Sequence, residues 1–297
     1  MKKLSLIAIA TASLLALSGC SPTETNRWSA GTGDIKIVAS TNVWGSVANL
    51  VAGDLATVDA IIYNTNQDPH SYELTARDQL LISEADIVVM NGGGYDDFIQ
   101  KAIDADKTPA ITVDAFMASG DDETRNEHIW YDVDQVGDVA AVIGAAIESI
   151  DESKVDEVET RVADFREKIA ERKEQLDALR ATPKIVFQTE PLIAYLVEDA
   201  GFTDATPPEF SEAIEEENDV PPTVFAQAVD LITSNAVDVI YLNATTQTPQ
   251  IEKLLSLNSS ITNYSFTELL NQDPDTLEYE GGYFEMLDSA IKMLAGK

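Results

Sequence analysis

Short apolar runs and longer amphipathic segments alternate along most of the chain. The predicted strands are residues 34–40, 56–63, 86–92, 110–116, 184–189 and 237–244. The segments between them show the three- and four-residue apolar spacing of helices, as in 75–85, where Thr75 is a suitable N-cap. Strands that alternate with helices are typical of an α/β fold with mainly parallel sheets. We therefore predict two α/β lobes, over residues 34–150 and 182–297.

Residues 151–181 interrupt this alternation with one long segment that contains neither Gly nor Pro. Its apolar residues fall mostly three or four apart, which predicts a helix with a narrow apolar stripe, and this helix would reach roughly 46 Å. A coiled-coil dimer is one interpretation, but Arg172 and Lys173 interrupt the stripe. We favour the other interpretation, in which a rigid helix joins the two lobes, and we expect a monomer.

The first residues have the features of an export signal. Lys2 and Lys3 precede an apolar run that is too short to span a bilayer comfortably and ends in small residues. Residues 1–19 are therefore predicted to be a cleaved signal peptide. Cys20, the only cysteine, follows Leu-Ser-Gly and resembles the lipid-modified cysteine of a bacterial lipobox. Residues 20–33 are predicted to be the lipidated Cys and a flexible tether rich in Ser, Thr, Gly and Pro.

The composition argues against several functions. An apolar fraction of 44% is sufficient for packed cores, so the chain is not expected to be disordered. The formal net charge of −33 argues against nucleic-acid binding, which depends on neutralising phosphates with Lys and Arg. It also argues against docking of a protein face on anionic lipid, so membrane contact is expected only through the N-terminal lipid anchor. With a single cysteine, the chain cannot form an internal disulfide or a thiolate metal site.

The chain has only two histidines, and both follow predicted strands. His70 and His128 lie in loops after the second and fourth predicted strands, and Glu190 directly follows the fifth. Ligands of parallel sheets bind at the carboxyl ends of the strands, and two imidazoles with a carboxylate suit Zn²⁺, Mn²⁺ or Fe²⁺. Asp68 and Asp132 could orient the imidazoles from behind. The alternative is that each histidine is only a locally satisfied polar residue, but their matching positions favour a metal site.

Three stretches resemble a known family. They are DPHSYELTARDQLLISEADIVVMNGGGYDDFIQKA (68–102), NEHIWYD (126–132) and FQTEP (187–191). Together they resemble the metal-binding solute receptors of bacterial ABC importers, of the cluster A-I zinc/manganese type. In the second stretch Asn126-Glu127 replaces the usual Asp-Pro of the family motif. The likeness extends over residues 34–297, and the family's two lobes joined by a rigid helix agree with the predicted architecture.

The resemblance implies a lipid-anchored extracytoplasmic receptor that captures one divalent metal ion between its lobes and delivers it to an ABC permease. It also implies that the two histidines and Glu190 coordinate the ion. The family's fourth ligand is usually an Asp just before the Tyr that begins the last helix, and here Gly281 takes that place. Glu280 is the predicted substitute, with Glu278, water or an anion as alternatives.

Two departures favour harder oxygen ligands. Zinc receptors of the family often carry a His-rich loop before the second motif, whereas this chain has the acidic GDDETRNEH (120–128). Glu190 stands where those zinc receptors tend to have His. The expected cargo is therefore Mn²⁺ or Zn²⁺, with Fe²⁺ as a further candidate, and the carboxylate tilts the choice toward Mn²⁺ or Fe²⁺. The acid-rich segment 209–219 is predicted to be a solvated loop bordering the cleft.

We expect no enzymatic activity, but two other functions remain open at this stage. One is a surface metal-dependent hydrolase, in which Gly281 would leave a place for a water and Glu280 would act as the base. The other is an adhesin on the same fold. A hydrolase should turn over an ester or peptide when metal is bound, whereas an adhesin should bind its partner without metal.

Overall fold

Two sheets, each with helices against it, form the fold. The structure is a computed structural model that describes residues 28–65, 67–106, 109–120, 125–271 and 281–297. The strands are β1 (Ser29–Gly31), β2 (Ile35–Thr41), β3 (Ala56–Ile62), β4 (Ile87–Met90), β5 (Ile111–Asp114), β6 (Ile185–Gln188), β7 (Thr203–Asp204), β8 (Val239–Asn243) and β9 (Thr262–Phe266).

The helices follow the strands in alternation, as the apolar pattern predicts. They are α1 (Asn42–Ala52), α2 (Ala76–Ser83), α3 (Asp97–Asp106), α4 (Ala115–Ala118), α5 (Val136–Ile150), α6 (Val155–Leu179), α7 (Ala194–Asp199), α8 (Pro208–Glu215), α9 (Pro222–Thr233), α10 (Pro249–Leu257) and α11 (Tyr283–Leu294). The predicted cap of the second helix is present, because Thr75 and Asp78 form a reciprocal capping box.

The first sheet has the strand order β1-β3-β2-β4-β5, and all its pairings except that of β1 are parallel. The second sheet has the order β7-β6-β8-β9 and is parallel throughout. Side chains on β2 alternate between two cores, with Ile37 and Ala39 in one and Val38 in the other. Both faces of the first sheet are therefore covered, and the predicted α/β class with two mainly parallel sheets is confirmed.

The long helix α6 lies between the lobes. It packs against α1 and α5 of the first lobe and against α7 and α11 of the second. Its buried residues Val158, Phe165, Ile169 and Leu176 form the predicted stripe. This stripe is covered within one chain, so the fold provides the interlobe packing that we favoured over a coiled-coil dimer. The helix itself is shorter than the predicted segment 151–181, because a 3₁₀ turn occupies Glu152–Lys154.

The last helix also joins the lobes. The Tyr283 backbone N–H donates to Ser46 Oγ at 3.0 Å, and the Tyr283 hydroxyl donates to the Trp130 carbonyl at 2.7 Å. Tyr283 is fully buried, in a core cluster that contains residues of both lobes. The predicted lobes 34–150 and 182–297 are therefore separate along the sequence, but their side chains share one core.

Two predictions about loops are corrected by the structure. The predicted flexible tether 20–33 includes residues that belong to the fold: β1 pairs with β3, and Trp28 is buried because its ring packs against the backbone at Gly45. Residues 1–27, with the predicted signal peptide and Cys20, lie outside the described residues. The segment 209–219, predicted to be a solvated loop, instead contributes most of α8, whose apolar side chains Phe210 and Ile214 are buried.

Among the helices of the described ranges, none combines the length and the apolar character needed to cross a membrane.

Candidate metal site

The three residues predicted to coordinate a metal lie around one cavity between the lobes. This open cavity of about 720 Å³ is lined by His70 and His128 from the first lobe and by Glu190 from the second. Glu215 and Glu268, also from the second lobe, line it as well. His70 follows β3, Glu190 follows β6 and Glu268 follows β9, so the carboxyl ends of strands in both sheets face the same space.

Asn126 sets the orientation of His128. Its Oδ1 accepts from the backbone N–H of His128 at 2.7 Å and lies 2.7 Å from the ring nitrogen Nδ1. The Asn126 amide nitrogen donates to the Pro191 carbonyl at 2.7 Å, which fixes the amide orientation and leaves Oδ1 as the acceptor. His128 Nδ1 therefore carries the proton, and the lone pair of Nε2 is directed away from Asn126. A neutral imidazole with one nitrogen held in this way is the usual form of a metal ligand.

Burial keeps His128 neutral. The side chain is 2% exposed, and desolvation of the charged form, with a smaller contribution from the nearby His70, lowers the pKa of His128 to about 3. Its Nε2 lies 3.7 Å from Glu215 Oε1. At neutral pH the ring therefore has a free lone pair near a carboxyl group, as cation binding requires.

The loop of His128 is attached to the end of β4. Trp44 Nε1 donates to Asn91 Oδ1 at 2.9 Å, and the Asn91 amide nitrogen donates to the Glu127 carbonyl at 2.9 Å. Asp96 accepts from the backbone N–H groups of Asn91 and Gly92, which holds the glycine-rich turn closed. These bonds connect the position of His128 to the first sheet.

His70 lies at the mouth of the cavity, in the loop after β3. Asp68 Oδ1 accepts from the His70 backbone N–H at 2.9 Å, and Asp68 Oδ2 accepts from Ser71 at 2.9 Å. The ring meets Tyr95 edge-on, with centroids 4.9 Å apart, and His70 Nε2 lies 4.0 Å from Glu127 Oε1. The imidazole thus stands between an aromatic ring and a carboxylate, with a side chain that is 35% exposed.

Glu190 and Asn243 form the floor of the site in the second lobe. Glu190 Oε2 accepts from the Asn243 amide nitrogen at 2.5 Å, while Asn243 Oδ1 accepts from Thr245. The bonds from Thr245 fix the amide so that its donor faces the carboxylates. Among the described residues, none forms a well-aligned hydrogen bond with Glu190 Oε1, although Glu190 is only 5% exposed; the nearby Thr246 hydroxyl lowers the pKa of the carboxyl without meeting this geometry. A buried carboxylate oxygen without a donor is costly unless a cation or a water reaches it.

Glu268 is a partly buried carboxylate that the sequence did not reveal as a site residue. The same Asn243 nitrogen donates to Glu268 Oε1, and the Tyr95 hydroxyl donates to Glu268 Oε2 at 2.9 Å. Burial raises the pKa of Glu268, and these two hydrogen bonds oppose the rise. Tyr95 also contacts both imidazoles, since its ring centroid is 4.9 Å from that of His70 and 6.0 Å from that of His128. One aromatic residue therefore connects the histidines of one lobe to a carboxylate of the other.

The carboxyl groups of the site repel one another. Burial, together with the smaller effect of the charges of Glu127, Glu190 and Glu268, raises the pKa of Glu215 to about 8. Burial likewise raises the pKa of Glu190. Within the described part of the chain, Glu215 Oε1 and Glu190 Oε1 are both buried without a well-aligned hydrogen-bond partner. A cation at this place would relieve the repulsion and supply the missing partner.

One predicted site residue has other partners than those expected, and another is not described. Asp132 was expected to orient an imidazole, but its carboxylate pairs with Arg125 at 2.7 Å and accepts from backbone N–H groups that precede α5. Asn126 orients His128 instead. Asn126 lies two residues before His128 in the sequence, and Asp68 lies two residues before His70, where it accepts from the His70 backbone N–H. Glu280, the predicted fourth ligand, lies outside the described residues.

The imidazoles and carboxylates line the cavity, but they are too far apart to form a coordination sphere as they stand. In the described ranges, no group of three His, Cys, Asp or Glu side chains is close enough together to hold a metal ion. The two approaches of imidazole to carboxylate measure 3.7 Å for His128–Glu215 and 4.0 Å for His70–Glu127.

The chain has the architecture of a two-lobed binding protein. Strand ends of both α/β lobes present imidazoles and carboxylates to one shared cavity. The profile of the family "Zinc-uptake complex component A periplasmic" (ZnuA) matches residues 37–296. Because the match covers most of the chain, the protein belongs to this family, as the three sequence stretches predicted.

Relatives of known name are receptors for several metals. The chain is 26% identical over 223 residues to the manganese ABC transporter substrate-binding lipoprotein PsaA of Streptococcus anginosus, an alignment that covers 69% of this chain and 71% of that protein. It is 27% identical over 222 residues to the iron ABC transporter substrate-binding lipoprotein MtsA of Streptococcus pyogenes serotype M6, with the same coverage.

Solved structures share the fold. The periplasmic zinc binding protein TroA from Treponema pallidum superimposes with a TM-score of 0.72 at 15% identity, covering 89% of this chain and 99% of that chain. The solute-binding protein FpvC from Pseudomonas aeruginosa, in complex with Mn²⁺, superimposes with a TM-score of 0.71 at 18% identity, covering 88% and 98%. At these identities the likeness establishes the two-lobed architecture alone.

Proposed function

We propose that this protein is the metal receptor of an ABC importer. It takes one divalent transition-metal ion into the cavity between its lobes and delivers the ion to a membrane permease. His70, His128 and Glu190 coordinate the ion. Because these groups surround the cavity without yet converging, binding draws their side chains inward.

The main support is the buried Glu190 Oε1, which has no well-aligned hydrogen-bond donor among the described residues, in a cavity that it shares with two imidazoles. Asn126 holds His128 with its Nε2 lone pair free, so a nitrogen ligand is oriented before the ion arrives. Around these groups stand carboxyl groups whose mutual repulsion a divalent ion would relieve. Nitrogen and oxygen ligands in this mixture suit Mn²⁺, Fe²⁺ and Zn²⁺.

Within that group of ions, the carboxylates favour Mn²⁺ as the cargo, with Zn²⁺ as the principal competitor and Fe²⁺ as a further candidate. Glu127, Glu190, Glu215 and Glu268 outnumber the two imidazoles, and carboxylate oxygen is a harder ligand than imidazole nitrogen. Zn²⁺ still binds tightly to most sites of this kind because of its place in the affinity order of divalent metals. The relatives named for manganese and for iron are consistent with this range.

The protein acts outside the cytoplasm and is held at the membrane by lipid on Cys20. The lipobox-like sequence before Cys20 supports this location, and relatives are named as lipoproteins. In this role the protein binds and releases its ion as a monomer and catalyses no reaction. The permease of the importer is its partner.

A metal titration tests the proposal. The full chain is purified in detergent, stripped of metal and titrated with Mn²⁺, Zn²⁺ and, as a control ion, Mg²⁺. Thermal unfolding is followed in parallel, since an ion that binds only the native state raises the melting temperature by mass action. We expect one equivalent of Mn²⁺ or Zn²⁺ to bind and stabilise the parent, and His70→Ala and Glu190→Gln to lose this effect. Equal stabilisation of the parent and His70→Ala would disprove the assignment of the site.

A further inference from the structure

The C-terminal end of α8 places Glu215 in the metal cavity. Phe210 of α8 packs in the core of the second lobe, where its ring meets that of Phe187 edge-on, with centroids 5.1 Å apart. Phe187 belongs to β6, the strand that Glu190 follows. The helix is therefore attached beside the element that carries a predicted ligand, and Glu215, its last residue, lines the same cavity as Glu190.

The backbone around Glu215 is fixed by the way the helix ends. The Glu217 N–H donates to the Ile214 carbonyl at 3.1 Å, and the Asn218 N–H donates to the Ala213 carbonyl at 2.8 Å. Glu217 has a φ of +55°, the left-handed conformation with which this pair of bonds commonly closes a helix. The chain thus turns away directly after Glu215, whose side chain remains in the cavity.

No basic residue explains an acid at this place. The described residues that line the cavity include neither Lys nor Arg, and the only ion-pair partner of Glu215 among them is His128. The carboxyl groups of Glu127, Glu190 and Glu268 are near enough to repel it. The dipole of a helix also disfavours negative charge at its C-terminal end. The position is therefore unfavourable for a carboxylate unless a cation is bound.

Glu215 and His128 present two lone pairs across the space between the lobes. Glu215 Oε1 lies 3.7 Å from His128 Nε2, which is longer than a hydrogen bond. Because Asn126 Oδ1 holds the proton on His128 Nδ1, the lone pair of Nε2 is free. Among the described residues, none donates a hydrogen bond to Glu215 Oε1, which is buried. Both atoms are thus acceptors without a donor, and a cation between them would satisfy both.

The gap between these two atoms has the width that one ion requires. Transition-metal ions bind imidazole nitrogen and carboxylate oxygen at about 2.1 Å, so two ligand atoms 3.7 Å apart subtend an angle of about 120° at the ion. That angle is close to those of tetrahedral and trigonal-bipyramidal coordination. His128 belongs to the first lobe and Glu215 to the second, so one ion can join the lobes at the distance that the structure shows.

We propose that Glu215 is a further ligand of the metal ion, which it binds together with His128, and that this carboxylate favours Mn²⁺ over Zn²⁺. This inference rests on the proposed function as a metal receptor. It adds a carboxylate from a helix to His70, His128 and Glu190, which lie in loops after strands. Zn²⁺ sites mostly have four ligands with imidazole among the preferred ones, whereas Mn²⁺ suits carboxylate oxygen and higher coordination numbers. Glu215 is thus the residue that sets the selectivity.

Competition titrations measure the role of Glu215. The full chain in detergent is stripped of metal and titrated with Mn²⁺ and with Zn²⁺ against a chelating dye. Glu216→Gln is the matched control, because Glu216 is the next residue, is exposed and is not among the described residues that line the cavity. We expect Glu215→Gln to weaken Mn²⁺ binding by more than about 100-fold, above the roughly 10–100-fold effect of losing an outer-shell partner. The loss for Zn²⁺ should be at least about tenfold smaller, because Zn²⁺ depends less on hard oxygen ligands.

An imidazole at position 215 gives a readout that a structural role would not produce. Glu215→His keeps a metal-binding side chain of similar reach but replaces the hard oxygen with nitrogen. We expect it to bind Zn²⁺ at least about tenfold more tightly than Glu215→Gln does, while its Mn²⁺ binding remains as weak as in that variant. Glu216→His should leave both affinities unchanged. The melting temperature of each metal-free variant verifies that it is folded.

The outcomes distinguish this inference from the proposed function. If His70→Ala abolishes binding but Glu215→Gln binds Mn²⁺ like Glu216→Gln, the receptor stands and Glu215 is not a ligand. Equal losses for the two ions, or no gain of Zn²⁺ binding in Glu215→His, would mean that Glu215 acts only by positioning other groups, and would overturn the inference as well. If His70→Ala itself binds like the parent, the site and the role of Glu215 both fail.

Discussion

Lys173 Nζ lies 4.0 Å from Asp199 Oδ1, which connects the interlobe helix to α7 of the second lobe. The same ammonium group pairs with Asp134 of the first lobe. Arg172 and Lys173 interrupt the apolar stripe of α6 in the sequence, and the structure explains the interruption, because Lys173 contacts an acid from each lobe and Arg172 contacts Asp288. The two basic residues that argued against a coiled coil therefore form contacts with the lobes.

Asp199 should make stability depend on pH. Burial raises the pKa of Asp199 to about 6, although the charge of Lys173 opposes the rise. In the unfolded chain the pKa is about 3.9, so the folded protein holds this proton more tightly. The stabilisation is complete below about pH 4 and is lost as the pH rises through about 6. Asp199→Asn, which resembles the protonated form, should therefore be more stable than the parent above that range.

Urea unfolding of the metal-free protein between about pH 4 and about pH 7 measures this effect. The gain of Asp199→Asn should be near zero at the acid end and reach no more than about 3 kcal/mol at the neutral end, at about 1.4 kcal/mol per unit of pKa shift. Asp164→Asn, exposed on α6, should follow the parent at every pH. A constant difference between Asp199→Asn and the parent would contradict the raised pKa.

Asn243 should matter most when the site holds no metal. Asn243→Leu removes the donor shared by Glu190 and Glu268. We expect a loss of about 2 kcal/mol or more in the free energy of unfolding, since a buried and a partly buried carboxylate each lose a hydrogen-bond partner. Asn243→Asp should be less stable still, because it adds a third negative charge. Thr245→Val, which leaves the Asn243 donor in place, should have the smallest effect.

Saturating Mn²⁺ should reverse the order of the two Asn243 variants. The added carboxylate of Asn243→Asp attracts a cation, whereas leucine cannot. Thermal unfolding with and without the ion measures both orders. If Asn243→Asp stayed below Asn243→Leu at saturating Mn²⁺, the cavity floor would not be the place where a cation binds.

Much of the site could be predicted from the sequence because apolar runs mark where strands end. The runs at 56–63, 110–116 and 184–189 placed His70, His128 and Glu190 at strand ends, and these three residues do line one cavity. The strands β3 and β6 are buried along most of their length, so their sequences carry a clear signal. The ends of these strands can therefore be predicted without knowing how the lobes pack.

Glu268 was missed because β9 lacks this signal. Residues Thr262–Phe266 form an edge strand in which only Phe266 is buried, so the sequence does not mark a strand end before Glu268. Helix α8 was missed because acids dominate its segment, although Phe210 and Ile214 stand four residues apart, as on one helix face. The side chains whose roles depend on contacts between lobes, such as Tyr95, require the folded structure.

Arg172 should stabilise the contact between α6 and α11. Its guanidinium lies 4.5 Å from the centre of the Phe284 ring and donates to Asp288 at 2.8 Å, with a side chain only 12% exposed. We expect Arg172→Met, which keeps the aliphatic volume, to cost about 1–2 kcal/mol in the free energy of unfolding through loss of the cation–π contact and the ion pair. Arg172→Lys should recover only part of this, because an ammonium group cannot stack flat on the ring.

Chemical denaturation of the metal-free protein measures these losses. Lys168→Met is the matched control, since Lys168 approaches the same ring at 5.4 Å from the exposed side of the helix. Its effect should be within about 0.5 kcal/mol of zero. If Arg172→Lys equalled the parent, charge alone would account for the contact, and the stacking on Phe284 would contribute nothing.

The docking of Trp28 against α1 can be tested through Gly45. Trp28 is 8% exposed, and a Cβ at Gly45 of α1 would lie 2.5 Å from its Cζ3 atom. Trp28→Ala should cost about 3–5 kcal/mol as a buried aromatic side chain lost from the core. Gly45→Ala should also destabilise the parent, because the indole must shift to make room for the methyl group.

In the Trp28→Ala background the sign of the Gly45→Ala effect should change. Without the indole the methyl group has space, and alanine favours the helical conformation over glycine by up to about 1 kcal/mol. The four free energies of unfolding form a double-mutant cycle whose coupling term reports the contact directly. A Gly45→Ala cost that is the same in both backgrounds would mean that Trp28 does not dock, and the flexible tether would then extend to residue 33 as the sequence suggested. A cost that becomes a gain would confirm that Trp28 packs on α1 and belongs to the fold.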